Sequence, residues 1–283
     1  MKPARFDYHR ARDVRGALRL LSDLGEDAKI IAGGQSLVAM MNFRLARPAH
    51  LVDVGALDAL RYVRREDDGL HIGALTTHLD VESGGLDADF AVLSDAMRWV
   101  GHYPIRTRGT VGGSIAHADA TAEWCLLAVL LDAVIVVESV RGRRSIDAGS
   151  FFFGYYSTEL AFDEMIVEIV FPNPAPHAAI TEFAERQGDF AIVAAAVSLD
   201  LRGVEVVGGR VALGGVGATP VRSPEAERVL AAGGTFEDCA DAAADALELE
   251  DDGAYTAEYR RTLVRTLVTR ACEDALASRG VMS

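Results

Sequence analysis

The sequence contains only three cysteines in 283 residues, and they lie far apart. Cys125, Cys239 and Cys272 form no CxxC pair and, being odd in number, indicate no disulfide framework. They are also too few to ligate an iron–sulfur cluster by cysteine alone. A reducing compartment, the cytoplasm, is therefore the simplest expectation.

Basic residues and long apolar runs are scarce as well. The chain has 28 Lys and Arg against 42 Asp and Glu, a net charge of -14, which argues against nucleic-acid binding because that requires a clustered basic face. The longest apolar run, residues 126–137, is interrupted by Asp132 and is shorter than the about 18 to 20 residues of a membrane span. The N-terminus MKPARFDYHRARD has no apolar signal core, so we expect no export.

The length and the prolines predict two domains. A chain of 283 residues is long enough for two units of about 150 residues each. Three prolines lie close together in FPNPAPHAA, residues 171–179, and proline continues neither a helix nor a sheet ladder. We therefore predict a boundary here, with one domain over residues 1–174 and a second over residues 175–283.

The first predicted domain mixes helical and strand patterns. Residues 14–24 carry apolar side chains at helical spacing and are followed by Gly25, a typical C-terminal cap. The stretch AKIIA, residues 28–32, predicts a short buried strand that ends at a pair of glycines. The polar stretch RGRRSID, residues 141–147, predicts a turn.

The pattern changes after the prolines. Two long runs, FAIVAAAVSLDL and VEVVGGRVALGGV, predict neighbouring antiparallel strands that are joined at Arg202 and Gly203. A helix is predicted to follow, with Ser223 as its N-cap and Pro224 at its first position. The last predicted helix spans residues 251–280.

Paired glycines followed by a small hydroxyl residue occur twice. The two stretches are IIAGGQSL, residues 30–37, and TVGGS, residues 110–114. Consecutive backbone amides can bind a diphosphate where no side chain blocks the approach, and Ser36, Thr110 or Ser114 would add hydroxyl donors. An acidic chain could hold an anionic ligand in this way. The alternative is that both stretches are ordinary turns, since neither has the Rossmann or the P-loop spacing.

Several motifs occur in the order found in one known family. They are FDYHRA, AGGQSLVAMMNFRLARP, IGALTTH, IRTRGTVGGSIAHAD, FFFGYY, DEMIVEIVFP and RQGDFAIVAAAV. Over its whole length the chain resembles the FAD-binding medium subunit of molybdenum hydroxylases. That group includes the carbon monoxide dehydrogenase medium subunit and the flavin domain of xanthine dehydrogenase.

The resemblance implies both a fold and a cofactor. The implied fold class is α/β (α+β): an FAD-binding unit of the vanillyl-alcohol-oxidase (PCMH) type with lobes over about residues 1–55 and 56–174, then a C-terminal domain of antiparallel strands and helices, of the carbon monoxide dehydrogenase flavoprotein type. The residues that match the family's FAD contacts are Ile30, Ile31, Ala32, Gly33, Gly34, Gln35, Ser36, Leu37, Thr110, Val111, Gly112, Gly113, Ser114, Glu123, Ile166 and Phe190. In the family, the two glycine stretches bind chiefly the diphosphate, and the aromatic residue that matches Phe190 lies near the isoalloxazine ring.

Three positions depart from the family's pattern. Ser114 stands where many relatives have Asn, Ala120 replaces a common Pro, and Glu123 stands where several relatives have Asp. The resemblance implies that Ser114 affects one amide hydrogen bond and that Ala120 affects a turn. It implies that Glu123 changes how far a carboxylate reaches toward the ribose or adenine end of FAD. A metal site at His117, Asp119 and Glu123 is not favoured by their spacing. We assign no catalytic acid or base and no metal ligand to this chain.

The resemblance further implies an electron-transfer role. Molybdenum cofactor and [2Fe–2S] clusters are expected on a large and a small partner subunit, in a dimer of heterotrimers. The FAD would pass their electrons to an external acceptor (quinone, NAD or oxygen), in the cytoplasm or at the inner face of the membrane through the complex. Two alternatives stay open: a self-contained FAD oxidoreductase that acts directly on a small substrate, and a flavin-free scaffold subunit.

Overall fold

The computed structural model describes residues 2–278, which form three sheets of three to five strands, a two-stranded hairpin and the helices packed on them. The first sheet is parallel, with strand order β1–β3–β2. Its elements are β1 (Asp7–Arg10), α1 (Val14–Leu24), β2 (Ala28–Ile31), α2 (Leu37–Asn42) and β3 (His50–Asp53). The predicted helix and its cap are confirmed, since Gly25 has a positive φ and its N–H donates to the carbonyl of Leu21.

The second sheet is antiparallel, with order β4–β5–β10–β6–β7. Its strands are β4 (Val63–Glu66), β5 (Gly69–Gly73), β6 (Val134–Ser139), β7 (Gly142–Asp147) and β10 (Met165–Phe171). The helices of this region are α3 (His78–Ser83), α4 (Ala91–Ala96), α5 (Tyr103–Arg106), α6 (Val111–His117), α7 (Glu123–Leu130) and α8 (Ala148–Phe151), and a small hairpin is formed by β8 (Phe152–Gly154) and β9 (Ser157–Thr158).

The first two sheets share one apolar core. Leu21 of α1 and Val52 of β3 belong to the same buried cluster as Val136 of β6 and Met165 of β10. The parallel sheet and the five-stranded sheet are therefore packed against each other through buried side chains.

The third sheet is antiparallel, with order β11–β12–β13–β14. Its elements are β11 (Ala178–Phe183), β12 (Val193–Arg202), β13 (Glu205–Gly214), β14 (Val221–Arg222), α9 (Pro224–Ala231), α10 (Phe236–Asp245) and α11 (Ala257–Ala277). The predicted antiparallel pair is confirmed, with Arg202 opposite Glu205 across the turn. Helix α7 has every residue from Trp124 to Leu130 buried and packs against β12 and β13, as a helix that is apolar on all sides should.

Two sequence predictions need correction, and one helix was missed. The polar stretch 141–147 is largely a strand, because β7 pairs with β6 at the edge of the sheet and only Ile146 is buried, so no apolar alternation marks it. Helix α10 was not predicted, although its capping box of Thr235 and Asp238 is readable in the sequence. Helix α11 begins at Ala257 after the N-cap Thr256, and the end predicted for it at Gly280 lies outside the described residues.

Helix α9 begins at Pro224, as predicted, but the hydroxyl of Ser223 makes no capping hydrogen bond. The mixed α/β fold class is confirmed. Between residues 2 and 278, no helix combines the length and the apolarity that crossing a bilayer requires.

Candidate functional site

The first glycine stretch connects the end of β2 to the start of α2. Within the described part of the chain, the backbone N–H groups of residues 33–36 donate to no backbone or side-chain acceptor. Gly34 has a φ of +75°, in the left-handed region that favours glycine. The loop therefore presents a run of unpaired donors, which suits an anionic ligand.

Gly33 lies against the backbone of residues 108–109, just before the second glycine stretch. A Cβ atom at this position would lie 1.9 Å from the carbonyl oxygen of Arg108 and 3.0 Å from the Cα of Gly109. The missing side chain thus allows the first glycine loop to touch the backbone just before the second glycine stretch. Positive φ is not the reason for this glycine, since only Gly34 of the four paired glycines has it.

The second glycine stretch is the start of helix α6, and its amides are already used. The hydroxyl of Thr110 accepts from the N–H of Gly113 at 3.1 Å, and the N–H of Gly112 donates to the carbonyl of Ala74 at 2.9 Å. Those of Val111 and Ser114 also donate to backbone carbonyls. The interpretation of this stretch as a loop of unpaired amides is wrong. Its possible contributions are the hydroxyls of Thr110 and Ser114 and a close-packed surface.

A cavity of about 610 Å³ opens between the two stretches, within the about 300–1,000 Å³ usual for ligand sites. Of the sixteen predicted site residues, the cavity wall includes all except Val111, which is fully buried. The fold therefore brings together the β2–α2 loop, helix α6, Glu123, Ile166 and Phe190. The contacts of these residues with a cofactor remain predictions.

The electrostatics of the cavity are set by buried groups. Burial, with the nearby carboxylate of Asp119, raises the pKa of Glu123 to about 7. Burial lowers the pKa of His78 to about 4, and the indole N–H of Trp124 donates to its Nδ1 at 3.0 Å. His78 is therefore a neutral imidazole at physiological pH, and it supports the second stretch, because its backbone N–H donates to the carbonyl of Gly109.

His117 and Asp119 are engaged with other partners. The ring of His117 packs on Tyr156 with 5.0 Å between centroids. The carboxylate of Asp119 accepts from both the N–H and the hydroxyl of Thr121. These contacts give the two side chains structural roles at the edge of the cavity.

Sequence reasoning missed part of the wall. Lys29 is the one Lys or Arg among the lining residues, and residues 158–165 supply a further side of the cavity. The segment 158–165 is mostly irregular, so no local pattern marks it as part of a site. It reaches the cavity only because β10 carries its end to the centre of the second sheet.

These residues fit a dinucleotide such as FAD. The unpaired amides of residues 33–36 suit a diphosphate, and Gly33 allows the close approach of the two stretches that line the cavity. Apolar side chains, among them Ile30, Leu37 and Ile166, line other parts of the wall and suit a flat ring system.

Comparisons with known proteins agree with this fit. Residues 4–174 match the FAD binding domain in molybdopterin dehydrogenase, and residues 178–275 match the CO dehydrogenase flavoprotein C-terminal domain. The class of protein is thus an FAD-binding flavoprotein. The chain belongs to the molybdenum hydroxylase family, as an FAD-binding medium subunit, and the resemblance seen in the sequence is confirmed.

Individual relatives match along nearly the whole chain. The chain is 41% identical to the 6-hydroxypseudooxynicotine dehydrogenase complex subunit alpha of Paenarthrobacter nicotinovorans, over 98% of this chain and 96% of that protein. It is 37% identical to the nicotine 6-hydroxylase medium subunit of the same organism, over 97% and 99% of the two chains. A chain of carbon monoxide dehydrogenase from Hydrogenophaga pseudoflava superposes with a TM-score of 0.92 at 35% identity, over 98% and 99% of the two chains.

Proposed function

We propose that this subunit transfers electrons from the [2Fe–2S] clusters of a partner subunit, through FAD, to an external acceptor. The observation that carries the proposal is the pair of features at one cavity: unpaired amides at residues 33–36 and the exposed side chain of Phe190. A diphosphate bound to the amides would anchor FAD. Phe190 is part of the wall of the same cavity and is 72% exposed. FAD itself supplies the redox chemistry, and the protein supplies its position and its electrostatic surroundings.

The residues divide by role. The amides of residues 33–36 would hold the diphosphate, with the hydroxyls of Thr110 and Ser114 as further donors. Glu123 would accept from the ribose or adenine end, and Ile166 and Phe190 would flank the ring. Each role is a proposal that rests on the match to the family and on the place of the residue in the cavity wall.

The partners follow from what this chain does not supply. Its three cysteines are all buried, on helices α7, α10 and α11, and they cannot ligate a cluster by cysteine alone. We propose a large molybdopterin subunit and a small [2Fe–2S] subunit, in a dimer of heterotrimers. The relatives support this, because their names describe a dehydrogenase complex subunit and a hydroxylase medium subunit. A cytoplasmic complex, free or attached at the inner face of the membrane, is also proposed.

One experiment tests the proposal directly. The native complex is purified and its subunits, metals and flavin are identified, after which its own substrate is mixed with it anaerobically in a stopped-flow spectrometer. We expect bleaching of the cluster bands followed by bleaching of the flavin band. A chain that is isolated without partners and reduced directly by a small substrate would overturn the proposal.

That outcome would favour a self-contained FAD oxidoreductase. One observation supports this second candidate: the carboxyl group of Glu123 lines the cavity with a pKa of about 7, the range that suits a general base. Glu123→Gln would then abolish flavin reduction by the substrate. Under the electron-transfer proposal, the same variant changes FAD binding and leaves cluster reduction intact.

A further inference from the structure

A second cavity, of about 990 Å³, lies beside the first. The two cavities share a wall. The residues that line both are Asp119, Thr121, Tyr156, Asp189, Phe190 and Ala191. Phe190, which we propose to lie beside the flavin ring, is thus also on the surface of the second cavity, so a molecule held there would be separated from the flavin by little more than this wall.

Aromatic side chains form part of the second cavity. Tyr155 is 74% exposed, Tyr156 57% and Phe190 72%, and Tyr255 stacks on Tyr259 with 5.9 Å between centroids. Exposed rings of this kind offer faces and edges for a planar aromatic molecule. They also attract a positive charge placed over a ring face.

Carboxylates dominate the charge of the same cavity. They are Asp119, Glu185, Asp189, Glu248, Glu250, Asp251 and Asp252. The lining has one cation, Arg260, and its guanidinium already bonds the carbonyl of Glu250 and lies 3.8 Å from Asp252. Arg186, just outside, pairs with Asp189. The cavity therefore has a strongly negative potential that concentrates cations and repels anions.

We infer that this second cavity receives the external electron acceptor, and that the acceptor is a planar aromatic oxidant that is cationic or uncharged, not anionic. The inference rests on the proposed electron-transfer function and specifies its acceptor class. In the step, FADH₂ is oxidised to FAD with loss of two electrons and two protons. The acceptor takes both electrons and one or two of the protons, and any remaining proton goes to solvent. Phosphate-bearing acceptors such as nicotinamide dinucleotides are disfavoured.

The first test measures binding without turnover. The oxidised native complex is dialysed to equilibrium against methylene blue, a planar cation, or against dichlorophenolindophenol, a planar anion of similar size. We expect the cation to bind at least about tenfold more tightly at low ionic strength, with the difference shrinking as salt screens the carboxylates. Equal affinities at low salt would overturn the inference.

Variants locate the binding. The side chains of Glu248 and Glu250 are exposed. Among residues 2–278, neither carboxylate makes a hydrogen bond or an ion pair, so Glu248→Gln with Glu250→Gln removes two charges from the wall without breaking such a contact. We expect methylene blue to bind about fivefold more weakly, the size that Coulomb's law in water gives for two unit charges at about 8 Å. The control, Glu205→Gln with Glu237→Gln, removes two exposed charges outside the cavity and should change binding much less. Equal effects of the two double variants would overturn the assignment to this cavity.

A final measurement separates the two proposals. FAD content and the reduction of flavin by the enzyme's own substrate are recorded on the same samples, and the reduced complex is then reoxidised by each dye. Reoxidation rate constants should follow the same order as the affinities. Normal flavin reduction without any charge preference would refute the acceptor class alone, whereas absent FAD or absent flavin reduction would refute the electron-transfer function.

Discussion

Gly33→Ala tests the close contact between the first glycine stretch and the backbone just before the second. The new methyl group would lie 1.9 Å from the carbonyl oxygen of Arg108 and 2.6 Å from its carbonyl carbon. Both neighbours are backbone, so no side chain can rotate away. The loop and Arg108 must separate by about 1.1 Å to reach even a 3.0 Å contact, an overpacking that costs about 1–3 kcal/mol of unfolding free energy.

The same displacement moves the unpaired amides away from the second stretch. If FAD loses two hydrogen bonds to its charged diphosphate, each of about 1.5–3 kcal/mol, its affinity falls at least about a hundredfold. Thermal unfolding of the apo chain and FAD titration measure the two effects separately. The melting temperature should fall by about 2–4 °C for each kcal/mol lost.

Gly149→Ala is the matched control, because a Cβ at Gly149 in α8 meets nothing within 4 Å. It should stabilise the apo chain by no more than about 1 kcal/mol, because alanine lowers the conformational entropy of the unfolded chain, and it should leave FAD binding intact. If Gly33→Ala behaves like this control in both assays, the close contact with Arg108 has no importance for the site and the reasoning is refuted.

Three further predictions concern the cavity wall. Because the pKa of Glu123 is raised from 4.5 to about 7, the stability that its protonated carboxyl contributes is complete below pH 4.5 and is lost as the pH rises through 7. Glu123→Gln should therefore stabilise the apo chain at pH 8, by up to about 3 kcal/mol, and not at pH 4. Equal changes in melting temperature at both pH values would contradict this prediction. Gly113→Ala places a Cβ 2.7 Å from the hydroxyl oxygen of Thr110. It should therefore weaken the N-cap of α6 by about 1 kcal/mol and reduce the FAD content. An unchanged melting temperature would contradict this, because it would show that the N-cap accommodates the methyl group. Phe190→Ala should change the free energy of unfolding by less than about 0.5 kcal/mol, because the side chain is mostly exposed. It should nevertheless shift the flavin's reduction potential or its oxygen reactivity. An unchanged spectrum, potential and reoxidation rate would remove Phe190 from the site.

Much of the secondary structure follows from short-range patterns. The helix over residues 14–24 and the strand pair around Gly203 are readable because their apolar spacing and turn residues lie within a few positions of each other. Strand β7 is not, because an edge strand with one buried residue shows no alternation. The boundary near residue 174 and the individual FAD contacts stay predictions.

The sequence by itself determined the family and the cofactor, and it pointed to part of the cavity wall, because the paired glycines and their flanking motifs are local and together specific to the family. Tertiary structure decided what each glycine does. Gly33 is required by the carbonyl of Arg108, and the N–H of Gly112 is taken by Ala74, two partners that lie more than thirty positions away along the chain. The acidic second cavity likewise combines Asp119 with residues 248–252. Contacts between residues so distant in sequence depend on how the sheets pack, and no local pattern encodes them.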